Sequence, residues 1–199
     1  MKSRTRKTVV IFDLEFTAWE GSMQSRWTRP GEHKEVVQIG AVKLDAERLT
    51  VLDEFEMLVQ PRVNPVLSDY LVALTAITNE RLKERGVDFI TALRAFLDFA
   101  GDAPVWAFGR DDLVLADNLK LYGWGAMTLP VYHNAVPWLT AQGLDLAGKN
   151  ANHVAEAAGT TFDGHRHDAL ADAHGVAKGI VHLVKNGAAN PFLTSAAAD

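Results

Sequence analysis

A short apolar run that ends in two acids sets the first constraint on this chain. Thr8-Val9-Val10-Ile11-Phe12 carries β-branched and aromatic residues at consecutive positions, as a strand buried on both faces does, and it runs into Asp13-Leu14-Glu15. In a strand, residues two apart project to the same face, so both carboxylates can point together. Such a pair repels itself unless a cation lies between, and its hard oxygen donors suit Mg²⁺ or Mn²⁺. The plainer alternative is a strand end with two solvated acids.

The rest of the pattern places this strand in a mixed α/β sheet. The spacing predicts a strand over Thr8–Asp13, a long loop over Ala18–Lys34, a second strand over Glu35–Leu44 and a third over Leu49–Val59. The second and third are antiparallel across a turn near Asp45–Arg48. After Pro61 and Pro65 the periodicity becomes helical. Helices are predicted over Asp88–Ala100, with Asp88 as N-cap, and over Asp111–Tyr122, Asn150–Ala158 and Asp168–Lys185. Short strands are expected over Pro104–Phe108 and Leu129–Tyr132. Strands first and alternating helices and strands afterwards indicate one five-stranded α/β sheet. The 199 residues are the length of one domain, and no linker or repeat divides them. That domain is expected over about residues 8–185, between a short basic N-terminal segment and a loose tail from Asn186.

Composition narrows the function classes. The chain has no cysteine, which removes disulfides and thiolate metal sites and fits a cytoplasmic protein. The apolar run after the basic N-terminus stops at Asp13, too soon for a secretory signal, and no stretch is apolar enough to span a membrane. The net charge of −5 is unusual for a protein that binds phosphates. Basic residues clustered on one face would resolve this, and so would metal ions at the site.

Two further segments carry chemistry. In His167-Asp168-Ala169-Leu170-Ala171-Asp172, a histidine just before a helix and an aspartate one turn inside it can meet at one site. An imidazole there can take a proton from water near neutral pH. Against this, Asp168 could cap the helix while Asp172 faces solvent, or His165 and His174 could build a two-histidine metal site. In Gly109-Arg110-Asp111-Asp112, two acids open a helix, where the dipole favours them. Asp111 is the better placed cap, which leaves Asp112 free for other work.

Asp-x-Glu, a mid-chain Asp and His-x4-Asp, in that order, resemble the DEDDh branch of the DnaQ-like 3′→5′ exonucleases. Within that branch, Pro61-Arg62-Val63-Asn64-Pro65-Val66-Leu67-Ser68-Asp69 and Leu74-Thr75-Ala76-Ile77-Thr78 are similar to the ERI-1 (3′hExo-like) group. The likeness spans roughly residues 8 to 185. It implies an RNase H-like fold, a mixed five-stranded sheet with helices on both faces. It also implies hydrolysis of RNA or single-stranded DNA from the 3′ end to 5′-mononucleotides, using two Mg²⁺ or Mn²⁺ ions. On this resemblance Asp13, Glu15, Asp112 and Asp172 match the metal-binding carboxylates and His167 the general base. Phe16, Thr17, Leu74 and Ile77 match positions that contact the terminal nucleotide. The sequence departs from the pattern at Ala76, where glycine is usual, and at Phe108, often tryptophan. A catalytically silent nucleic-acid-binding or regulatory protein of this fold is one alternative. A haloacid-dehalogenase-like phosphatase is another, since Asp13-Leu14-Glu15-Phe16-Thr17 differs by one methylene from that family's opening motif.

Overall fold

The computed structural model describes residues 7–125 and 127–194. Strands β1 (Thr8–Phe16), β2 (Val36–Asp45), β3 (Val51–Leu58), β4 (Val105–Ala107) and β5 (Tyr132–Asn134) form one sheet in the order β3-β2-β1-β4-β5. β1, β2 and β3 are antiparallel neighbours, whereas β4 and β5 run parallel to β1. The helices are α1 (Ser22–Ser25), α2 (Asp69–Thr75), α3 (Asn79–Arg85), α4 (Phe89–Ala100), α5 (Asp111–Leu121), α6 (Ala135–Ala141), α7 (Val154–Ala157), α8 (Ala169–Lys185) and α9 (Pro191–Thr194). This is the mixed five-stranded α/β sheet expected from the pattern. None of the described helices is long and apolar enough to cross a membrane.

The two-residue period of β1 sorts its side chains between two cores. Val10, Phe12 and Leu14 pack with Leu93 and Phe96 of α4 and Leu115 of α5. Val9 and Ile11 pack on the opposite face with Leu139 of α6 and Val176 and Ile180 of α8. Asp13 and Glu15 share the period of Val9 and Ile11, so their carboxylates lie on the face that α8 covers.

The N-terminus of α8 is seated on β2. Asp168 caps the helix by accepting from the Ala171 N–H at 3.0 Å. Gln38, fully buried, accepts from the Ala169 N–H at 3.0 Å and donates to Asp168 Oδ2 at 3.0 Å. Two residues along, Gly40 leaves the space the helix needs. A Cβ there would lie 2.1 Å from Leu170 N and 2.2 Å from Ala169 C, both backbone atoms. Gly40 and Gln38 are the β2 partners of Asp13 and Glu15. The seat for α8 and the acidic motif are therefore opposite each other in the ladder.

Several elements differ from the sequence-based expectation. β1 continues through Glu15 to Phe16, because the ladder with β2 persists to a bulge at Glu15/Phe16. β5 begins at Tyr132, where Leu129–Tyr132 was expected, since Val105 of β4 pairs with Tyr132. The tail from Asn186 is not loose as far as it is described. Asn190 donates to Ala46 O at 2.8 Å, and Phe192 is buried edge-on against Trp106. The basic segment at residues 1–6 and the tail at 195–199 lie outside the described residues. Ala76, at the usual glycine position, caps the C-terminus of α2 with φ 58°, the left-handed geometry that glycine adopts without strain.

Gly40→Ala is expected to be the costliest small substitution in the sheet, because neither clashing atom belongs to a side chain that can turn away. Urea unfolding should show a loss of about 3 kcal/mol or more. A loss below about 1 kcal/mol would mean that α8 can lift from β2 freely.

Candidate active site

The cleft that opens beside the C-terminal end of β1 has a volume of ≈ 280 Å³. Asp13 and Glu15 come from β1, Asp111 from the first turn of α5, and Asp172 from the first turn of α8. All four acids are at least nine-tenths buried. His167 enters from the turn before α8, and its backbone is left-handed at φ 62°. Donor atoms of Glu15, His167 and Asp172 lie within 4.8 Å of one another.

These carboxyls are kept from ordinary ionisation by burial and by each other. Burial, then the charges of Asp111, Glu15, Asp172 and Asp168, pushes Asp13 well above the usual carboxylate range. Burial, then Asp172, Asp111 and Asp168, does the same to Glu15. Burial and the adjacent Asp112 push Asp111 up to about 7, against a downward pull from Lys34. Asp172 also rises to about 7, chiefly by burial, although hydrogen bonds from the His167 backbone and the Asn152 side chain oppose this. The His167 imidazole is pushed below its ordinary value by burial first, then by the positive charges of His153, His165 and Arg166. It is therefore neutral at neutral pH and able to accept a proton.

The fit to divalent cations rests on the oxygens that nothing satisfies. Asp111 Oδ2 and Asp172 Oδ1 are buried and accept no hydrogen bond among the described residues. Buried carboxylate oxygens without donors are costly, and a hard cation is the ligand that relieves them. Neither plain alternative for these acids survives. Asp13 and Glu15 are buried rather than solvated, and Asp172 faces the cleft while Asp168 does the capping.

The structure brings Asp111, not Asp112, to this cleft. Asp112 turns outward and accepts from Arg110 Nε and Nη2, both at 2.8 Å. Successive helical residues are about 100° apart, so only one of the two acids can face the site. Nor does Asp111 cap α5, whose N-cap is Arg110 with no side-chain bond. The periodicity contained this answer. Asp111, Val114, Leu115, Asn118 and Leu119 form the buried stripe of α5, and Asp112 is off it.

The apolar wall also differs in part from expectation. Phe16 and Leu74 line the cleft. Thr17 instead donates to His33 O and accepts from Glu35 N, fastening the end of the loop to β1. Ile77 is buried with Leu58, Leu71 and Leu82 in the core beneath. Tyr70, Leu71, Trp19, Met23, Trp27 and Phe108 add to this wall, so the loop over 18–34 folds onto the cleft. Trp27 both fastens the loop and borders the cleft, since its Nε1 donates to Thr17 O at 2.8 Å while its ring lines the wall. His165 is exposed and His174 pairs with Glu54 at 3.0 Å, and among the described residues neither joins the donor cluster of Glu15, His167 and Asp172. Sequence reasoning missed Asn152, fully buried before α7, with Nδ2 3.4 Å from His167 Nε2. No periodic signal marks an isolated asparagine in a single-turn 3₁₀ helix.

Known proteins resemble this chain in sequence and in fold. The chain is 22% identical over 214 residues to ERI1 exoribonuclease 2 of Xenopus laevis, covering 90% of this chain and 28% of that protein. It is 30% identical over 91 residues to 3′-5′ exoribonuclease 1 of Homo sapiens, covering 46% of this chain and 24% of that one. The matches thus span only about a quarter of each relative's length. Among solved structures, the nuclease domain of 3′hExo, a DEDDh family member bound to rAMP, superposes with a TM-score of 0.77. That match is 21% identical and covers 93% of this chain and 95% of the other. The Exonuclease (RNase_T) family model matches residues 10–179, and a match over most of the chain that includes every acid of the cleft makes this protein a member of that family.

Proposed function

We propose that this protein is a 3′→5′ exonuclease that hydrolyses the terminal phosphodiester of RNA or single-stranded DNA. Two divalent ions, Mg²⁺ or Mn²⁺, would be held by Asp13, Glu15, Asp111 and Asp172. The observation that carries this reading is four buried carboxyls, two with unsatisfied oxygens, beside a neutral imidazole in a cleft with an aromatic wall. Bound in this way, the ions lower the pKa of water and neutralise charge on the phosphate. Phe16, Trp27, Tyr70 and Leu74 offer flat and apolar surface to the last base and sugar. His167 accepts the proton of the attacking water, and Asn152 limits where its ring can turn. The lack of cysteine supports a reducing compartment such as the cytoplasm. Family membership sets aside the phosphatase reading.

A time course on 5′-labelled single-stranded RNA and DNA tests this. Stepwise shortening from the 3′ end is expected with Mg²⁺ or Mn²⁺ and none with a chelator. Oligonucleotide binding without any shortening would favour the silent, regulatory alternative.

Asp111→Asn should abolish turnover, and Asp112→Asn should keep most of it, since Asp112 is engaged with Arg110 outside the cleft. The reverse result would return the metal-binding role to Asp112.

His167→Ala should lower kcat by about 10²–10⁴-fold, as the loss of a general base does. The acidic limb of the wild-type pH–rate profile should disappear with it. A variant that retains that limb would assign it to another group.

The raised carboxyls also give a pH signature in metal-free protein. A carboxyl whose pKa is higher folded than unfolded destabilises the fold as pH rises between those two values. For Asp111 that window runs from 3.8 to about 7. Asp111→Asn should therefore melt above wild type at pH 8, with the advantage vanishing towards pH 4. Mn²⁺ should raise the wild-type Tm more at pH 8 than at pH 5. Equal Tm values for the two proteins at pH 8 would show that Asp111 carries no such strain.

A further inference from the structure

A second depression lies against the active-site cleft, on the other side of Trp27. It is a trough of ≈ 710 Å³ between the loop over 26–34 and the outer face of α5. Arg26, Lys34, Arg110 and Lys120 line it together with the acids Glu32 and Asp117. Glu32 is engaged by Arg29 at 2.7 Å and Arg110 by Asp112. Arg26, Lys34 and Lys120 thus face one acid, Asp117, among the described lining residues. This local excess of cations stands out in a chain whose net charge is −5.

The loop is held in a form that keeps this excess in place. Arg26 and Trp27 are consecutive non-glycine residues in the left-handed region, with φ 52° and 56°. Such backbone is costly and persists only where the surroundings enforce it. Here the Trp27 ring is fixed by its bond to Thr17 O, by Phe16 at 5.5 Å edge-on, and by Lys34, whose Nζ lies 4.4 Å from the ring centroid. Trp27 is the wall common to trough and cleft, and Arg110, next in sequence to Asp111, lines the trough. A chain leaving the cleft over this wall meets cations on both sides.

We infer that this trough is the track for the single strand upstream of the 3′ end, with Arg26 and Lys120 contacting its phosphates. The inference rests on the exonuclease reading and adds the direction from which the strand arrives. On this inference a dinucleotide makes its contacts in the cleft and none in the trough. Longer strands gain phosphate contacts in the trough, and with them salt-sensitive affinity.

The test uses the exposed pair, Arg26→Glu with Lys120→Glu, in the full chain. Turnover is followed on a dinucleotide and on a 12-nucleotide single strand. Binding of the 12-mer is followed separately by fluorescence anisotropy in Ca²⁺ at several salt concentrations. We expect unchanged dinucleotide turnover, a KM for the 12-mer raised by about tenfold, and a salt slope reduced by about 1.4 for two lost phosphate contacts. Arg26→Gln with Lys120→Gln should give a smaller change in the same direction. An unchanged KM and salt slope for the 12-mer overturns the inference, and so does an equal loss on both substrates. If the wild type cleaves neither substrate, the exonuclease reading fails. The track then stands only if anisotropy shows 12-mer binding that the variant loses.

Discussion

The contact on which this protein most depends is the seating of the first turn of α8 on β2. Gly40 removes the side chain that would separate them, and Gln38 supplies a donor and an acceptor to the helix end. Because these two residues pair with Asp13 and Glu15 across the ladder, the seat fixes the distance from the acidic motif to Asp172 and His167. A backbone-to-backbone approach is well suited to this, since it admits no rotamer change. The helix cannot shift without breaking the two bonds that Gln38 makes to Asp168 and Ala169.

That rigidity matters because the site is electrostatically unfavourable by itself. Four carboxyls share one buried space, and the charges of Asp111 and Asp172 raise the proton affinity of Asp13 and Glu15. A softer scaffold would relax by turning an acid out to water, as Asp112 does with Arg110. Here the sheet, α5 and α8 each hold one or two acids in place, and on the proposed reading the resulting tension would be released by a bound cation. The overall negative charge is thus compatible with the proposed binding of a phosphate chain: ions held in the cleft would offset it, and cations line one trough.

Much of this was legible in the sequence because it depends on period. Asp13 and Glu15 follow from the alternation of a strand, and Asp168 and Asp172 from the first turn of a helix. The choice between Asp111 and Asp112 was also periodic. It was missed because the preference of acids for helix starts was weighed before the buried stripe Val114, Leu115, Asn118 and Leu119. Thr17 and Ile77 were placed by resemblance, and resemblance does not report which way a side chain turns. The C-terminal segment was misjudged because small and polar residues surround Phe192, and its partner Trp106 lies 86 residues earlier in the chain. Its docking is a tertiary fact with no local trace.

The same distances order events during folding. β1 carries Asp13 and Glu15 near one end of the chain, while Asp172 and the Phe192 contact with β4 come near the other. Contacts so far apart in sequence close late. Asp13 and Glu15 therefore meet only each other in an array of β1, β2 and β3, without Asp111 and Asp172. The crowding of all four acids arises only once α5 and α8 have packed on the sheet, together with the apolar cores that those helices complete.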